Sequence, residues 1–236
     1  MSPGPPVYNN PEFDAYAEDY DAALARGISV SGEDKDFFAR GRIEILRGYL
    51  ASLGVTPRSV LDFGCGTGSS TPYLLSLPGV NSLTGTEVSA GSIKVANRLH
   101  GASNVSFKLI QEYSPREEFD LAFCNGVFHH IPLPERAGAI SYVGQGLRQG
   151  GLFALWENNP WNPGTKLVMS RIPFDKDAIT LSVLETRKLL RAGGFEIVAS
   201  HFAFYFPRSL AFLRFLEPAL SRLPLGAQYL VLARKR

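Results

Sequence analysis

Short apolar runs alternate along this chain with longer stretches in which apolar residues return every three or four positions. The short runs predict strands at 58–63, 81–86, 104–109, 119–124, 151–157, 195–205 and 227–234. The stretches between them predict helices near 69–77, 90–99, 134–148 and 183–192. Such alternation packs as a parallel sheet with helices on both faces. Gly150-Gly151 and Gly193-Gly194 stand where helices must end before the next strand. The last two strands bracket 207–223, a short helical excursion ending at Pro224.

Ahead of the sheet the pattern is helical. Residues 1–11, rich in Pro and Asn, read as a loosely draped tail. Phe13, Tyr16 and Tyr20 then recur at helical spacing. Ser31 precedes Asp34 by three positions, a variant capping box for a second helix. Its stripe is Ile43, Leu46, Leu50 and Leu53, and Gly54 ends it. The expected division is 1–55, a tail and helical lid, and 56–236, the sheet domain.

The chemistry gathers at strand ends. Residues 60–68 read Val-Leu-Asp-Phe-Gly-Cys-Gly-Thr-Gly, a strand closing on an acid and running into a loop that opens a helix at about Ser69. Gly64, Gly66 and Gly68 let the backbone turn tightly and approach a ligand without Cβ interference. Asp62 is badly placed for a pyrophosphate but suits a ligand carrying an ammonium and a sulfonium, as S-adenosyl-L-methionine does. Glu87 closes the second predicted strand, some 20 residues beyond the glycines, where a carboxylate can accept from both ribose hydroxyls.

On these residues the chain resembles the class I S-adenosylmethionine-dependent methyltransferases, whose first motif is an acid followed by Gly-x-Gly-x-Gly. The likeness runs over roughly 12–236 and is similar to that of the small-molecule, ubiquinone/menaquinone-type members. It implies an α/β, Rossmann-like, seven-stranded and mostly parallel sheet. The last strand would insert antiparallel between the fifth and sixth, with an N-terminal helical lid above. It implies methyl transfer to a small-molecule acceptor by direct in-line displacement. It also implies cofactor contacts from Asp62, Gly64, Cys65, Gly66, Gly68, Glu87 and Val88, with Tyr20 contributed by the lid. Either Gln111 or Glu112 would meet the adenine, and Asn125 the methionine ammonium. His129 and His130 would border the acceptor, with one as a candidate base. In Trp156-Glu157-Asn158-Asn159-Pro160, Glu157 and Asn159 either orient the acceptor or take its proton, with Glu157 a catalytic candidate, or else form a turn held by Asx hydrogen bonds.

Other classes fit less well. A nicotinamide-dependent oxidoreductase should show Gly-x-Gly-x-x-Gly. A non-catalytic binding or partner subunit on the same fold is the alternative, and the intact Asp62, glycines and Glu87 argue for retained cofactor binding. A net charge of +2 offers no stripe for nucleic acid. Cys65 and Cys124 read as small core residues of a reduced compartment. No signal peptide and no membrane-length apolar run is found, so a cytoplasmic location is expected. No metal is expected, because His129 and His130 are adjacent and no CxxC or HxxxH spacing occurs. The aromatic tail from Phe202 to Leu216 reads as a core hairpin with a packed helix, or as an apolar wall for a lipid-like acceptor.

Overall fold

A computed structural model describes residues 20–175 and 178–236. Seven strands form one sheet: β1 (Ser59–Phe63), β2 (Ser82–Glu87), β3 (Val105–Leu109), β4 (Phe119–Asn125), β5 (Leu147–Asn158), β6 (Phe195–Ala203) and β7 (Gln228–Lys235). Their order is β3-β2-β1-β4-β5-β7-β6. β1 to β5 run parallel, and β7 lies antiparallel between β5 and β6, as expected. The chain therefore has the Rossmann-like α/β fold anticipated for it, and all of β1, β2, β4 and β5 deliver their carboxyl ends to one edge of the sheet. That edge, beside the reversal of strand order at β1 and β4, is where this architecture binds ligands.

The period-two alternation of the strands builds two cores. Leu61, Ala122, Cys124, Phe153, Leu155, Tyr229 and Val231 face one layer, against α5 (Arg136–Gly146) and α7 (Val183–Ala192). Val60, Leu121, Phe123, Leu152, Trp156, Leu230 and Leu232 face the other. There they meet Ile43, Leu46 and Leu50 of α2 (Lys35–Ser52) and Ala96 of α4 (Ala90–His100). Cys65 and Cys124 are buried, unbridged core residues.

Several boundaries differ from the sequence pattern. The cap of α2 is Asp34, whose carboxylate accepts from Phe37 N–H at 2.7 Å. Ser31 instead bonds back to Ile28, because Gly32 at φ +76° turns the chain between them. α3 is only Thr71–Leu75, since the glycine loop stays in turns until Thr71 N–H bonds Gly68 O. β5 begins at Leu147, pairing with Phe119 before a register shift, and so takes residues the helical pattern had claimed. The first helix, α1 (Tyr20–Ile28), sits beside α2 and α6 (Pro163–Met169). Phe13 and Tyr16 lie outside the described residues, as does the side chain of Tyr20. The excursion after β6 is a 3₁₀ turn at Arg208–Leu216 followed by α8 (Glu217–Leu220). It leaves Phe212 and Phe215 over 70 % exposed, so this part of the tail is not core, whereas Phe202 is. Among the described residues no helix is long and apolar enough to cross a membrane.

Candidate active site

The glycine loop is shaped by its neighbours. Gly64, Gly66 and Gly68 have φ of +70°, +53° and +80°, a region that side chains avoid. A Cβ on Gly64 would strike Val127 Cγ2 at 2.4 Å, and one on Gly66 would meet nothing within 4 Å. The backbone around Gly66 thus borders open space, the feature a cradle for a ligand requires.

Two carboxylates frame that space. Glu87, at the end of β2, accepts the N–H of Gly66 at 3.0 Å, of Val88 at 2.7 Å and of Ser89 at 3.2 Å. Asp62, in β1, is 2 % exposed and its Oδ2 has no hydrogen-bond partner among the described residues. Burial, then the charge of Glu87, pushes the Asp62 carboxyl up to about 7. An orphaned acid that is this buried asks for a cation.

Asn125 ends β4, and Gly126 and Val127 follow. Val127 covers Gly64, while Asn125 and Gly126 line a cavity of about 320 Å³. The segment therefore joins the glycine loop to a second compartment. Leu24 and Ile28 of α1, Phe37 and Arg42 of α2, and Phe204 and Phe206 form part of its wall, the ring of Phe204 packing against Phe37 at 5.9 Å between centroids. Gly41 lets α2 approach Phe204, since a Cβ there would lie 2.6 Å from the ring. Lys35, Asn158 and Gln228 add polar groups, and Gln228 bridges Asn158 and Arg42.

His129 and His130 also line the cavity. His129 is buried, with Nδ1 2.6 Å from Glu157 Oε2 and Nε2 3.6 Å from Asp175 Oδ1. Burial opposes its charge, but Glu157 and Asp175 outweigh that and push the pKa of His129 up to about 10. His130 Nε2 is 3.3 Å from the same Asp175 oxygen. Burial and the neighbouring His129 hold it below the usual histidine range. Glu157 is 1 % exposed; its other oxygen accepts Phe128 N–H at 2.7 Å. Burial would raise its pKa, yet His129 keeps it below the ordinary value.

The sequence-derived residues divide accordingly. Asp62, the glycines, Cys65, Glu87 and Val88 gather at the carboxyl ends of β1 and β2. Asn125, His129 and His130 stand at the cavity. Glu157 lies behind His129 rather than on the cavity wall, and Asn159 is buried with its amide donating to the carbonyls of Pro224 and Gly226. Asn159 Oδ1 also accepts Trp161 N–H at 3.1 Å, the Asx hydrogen bond of the turn reading. Gln111 and Glu112 occupy a 3₁₀ turn after β3, both exposed. Sequence reasoning missed Asp175, Arg42 and Gln228. Asp175 sits in an irregular segment that no periodicity marks, and only the chain path brings it to the histidines.

Residues 61–153 match the family model of a methyltransferase domain. The trans-aconitate 2-methyltransferase of Rhizobium etli is 32 % identical over 42 % of this chain and 38 % of its own length. The malonyl-[acyl-carrier protein] O-methyltransferase of Acetivibrio thermocellus is 27 % identical over 56 % of this chain and 47 % of its own. The chain thus spans less than half the length of these two relatives. A solved S-adenosylmethionine-dependent methyltransferase from Thermotoga maritima superposes with a TM-score of 0.66 at 16 % identity, over 95 % of this chain and 98 % of that one, a likeness of fold. Residues 61–153 are thus similar to a methyltransferase domain, and the fold of the chain is that of solved S-adenosylmethionine-dependent methyltransferases.

Proposed function

We propose that this protein transfers a methyl group from S-adenosyl-L-methionine to a small organic acceptor held in the cavity beyond Asn125. The observation that carries this reading is Asp62, a buried carboxylate whose Oδ2 has no hydrogen-bond partner among the described residues, two positions before the glycine loop that borders open space at Gly66. S-adenosyl-L-methionine supplies an already electrophilic sulfonium methyl. Asp62 and the backbone near Asn125 would hold its cationic end, Glu87 its ribose, and Gln111 or Glu112 its adenine edge. Gly66 leaves room for the contact, and Val88 and Cys65 would border it.

The remaining work is alignment and exclusion of water. Asn125 and Gly126 link the two compartments, so an acceptor against them stands next to the cofactor. His129, held rigid by Glu157 and Asp175, shapes that wall with His130. α1 and the turn after it form the lid, and Leu24, Ile28 and Val30 cover the cavity from that side. The division into a lid, 1–55, and a cofactor domain, 56–236, belongs to this proposal.

Lys35 and Arg42 bring cations to a wall otherwise built by Phe37, Phe38 and Phe204. An acceptor with an apolar body and a carboxylate fits that pairing. The relatives named for trans-aconitate and malonyl-carrier methylation support it. The test is calorimetric titration with S-adenosyl-L-methionine, followed by a screen of short organic acids for S-adenosylhomocysteine release. Binding abolished in Asp62→Ala, with turnover on one acid, is the expected result. A folded protein that does not bind the cofactor would overturn the reading in favour of a non-catalytic binding subunit.

A further inference from the structure

His129, His130 and Asp175 each turn one ligand-capable atom to a common point at the cavity wall, all three within 4.8 Å of one another. Asp175 Oδ1 lies 3.6 Å from His129 Nε2 and 3.3 Å from His130 Nε2. Around a tetrahedral zinc with bonds of ~2.0–2.1 Å, adjacent ligand atoms stand about 3.4 Å apart. Two edges of the triangle already have that length. The third, between the two histidines, lies within 4.8 Å.

The surroundings are built for an ion as well. His129 Nδ1 faces Glu157 Oε2 at 2.6 Å, which fixes the ring and directs Nε2 toward Asp175. A carboxylate behind a histidine in this way orients metal ligands and raises their basicity. Glu157 is in turn held by Phe128 N–H. Two buried carboxylates thus flank two imidazoles, and a divalent ion would balance their charge. The donor set, two imidazoles and one carboxylate, suits zinc and other first-row divalent ions rather than magnesium or calcium.

We propose that His129, His130 and Asp175 form a site for one zinc-like divalent cation, which displaces the Nε2 proton of His129 to solvent, with Glu157 as its supporting carboxylate and an open position facing the cavity. The ion binds an oxygen of the acceptor there and fixes it near Asn125. Binding of the ion depends only on these four side chains. Its role toward the acceptor rests on the methyl-transfer reading.

The experiment uses the full chain, stripped with a chelator and exchanged into metal-free buffer. Equilibrium dialysis against Zn²⁺ is expected to load one ion per chain. X-ray absorption at the zinc edge is expected to show two imidazoles at ~2.0–2.1 Å. Asp175→Asn and His130→Gln are each expected to weaken uptake by at least about tenfold, and Glu157→Gln by about 10- to 100-fold. Circular dichroism reports whether each variant is folded, and if the variants misfold the wild-type zinc spectrum decides alone. Absence of uptake by folded wild type, or a zinc spectrum without imidazole, would overturn the site, as would undiminished binding in folded Asp175→Asn. Calorimetry with S-adenosyl-L-methionine on the same preparation keeps the two proposals apart. Zinc without cofactor binding sinks methyl transfer and leaves the ion site standing; cofactor without zinc does the reverse.

Discussion

The backbone N–H of Gly66 donates to Glu87 Oε2 at 3.0 Å, across 21 residues of sequence. The glycine loop after β1 and the acid ending β2 are therefore one hydrogen-bonded unit, and Glu87 also pins the start of the next segment through Val88 and Ser89.

Removing that acid should loosen the cradle and the ribose contact together. Glu87→Ala is expected to weaken S-adenosyl-L-methionine binding by about 10- to 100-fold, the value of a hydrogen bond or two to a charged group. Calorimetry on folded variant and wild type measures it. An unchanged dissociation constant would mean that Glu87 serves the loop alone.

With Asp62 as the proposed partner of the cofactor's cationic end, binding is expected to depend on pH. Its carboxyl is raised to about 7 without ligand, and a cation prefers the ionised form, so affinity should rise with pH through that value. One linked proton gives about a tenfold gain between roughly pH 6 and pH 8. Asp62→Asn should bind weakly with no such slope. Stability without cofactor has the opposite trend. A folded pKa above the ordinary carboxylate value contributes stability at low pH that is lost as pH rises through about 7. Melting curves should show Asp62→Asn gaining on wild type by about 1 kcal/mol over the same interval.

Two glycines of one loop should respond differently to the same substitution. Gly64→Ala drives a methyl into Val127 at 2.4 Å and should lower the melting temperature, with partial recovery in Gly64→Ala/Val127→Ala. Gly66→Ala meets no protein atom within 4 Å, so only backbone strain of about 1–2 kcal/mol is expected. Its larger effect should be on cofactor binding, because the methyl points into the open space.

Tyr229 bonds Thr186 Oγ1 at 2.7 Å and Leu181 O at 2.9 Å while wholly buried. Tyr229→Phe leaves both partners unsatisfied and should cost about 1–3 kcal/mol in denaturant unfolding. Phe212→Ser with Phe215→Ser, on the exposed turn, should stay within about 0.5 kcal/mol of wild type per substitution. A larger loss would place those rings in the core.

The strand and helix succession, both core faces and the Asp62-glycine-Glu87 motif could be read from the residues alone. Strand alternation has a fixed period of two, and Asp62, the glycines and Glu87 are set by turns local to their own strands. Tertiary structure decided what lies far apart in sequence. It brought Asp175 to His129 and His130, set Glu157 behind the histidine rather than on the cavity wall, and left Asp62 Oδ2 without a hydrogen-bond partner among the described residues. It also divided the aromatic tail, burying Phe202, setting Phe204 and Phe206 on the cavity wall and exposing Phe212 and Phe215. Such placements depend on the chain path between elements, which carries no periodicity, and on burial, which alone determines whether a carboxylate is paired, protonated or waiting for a cation.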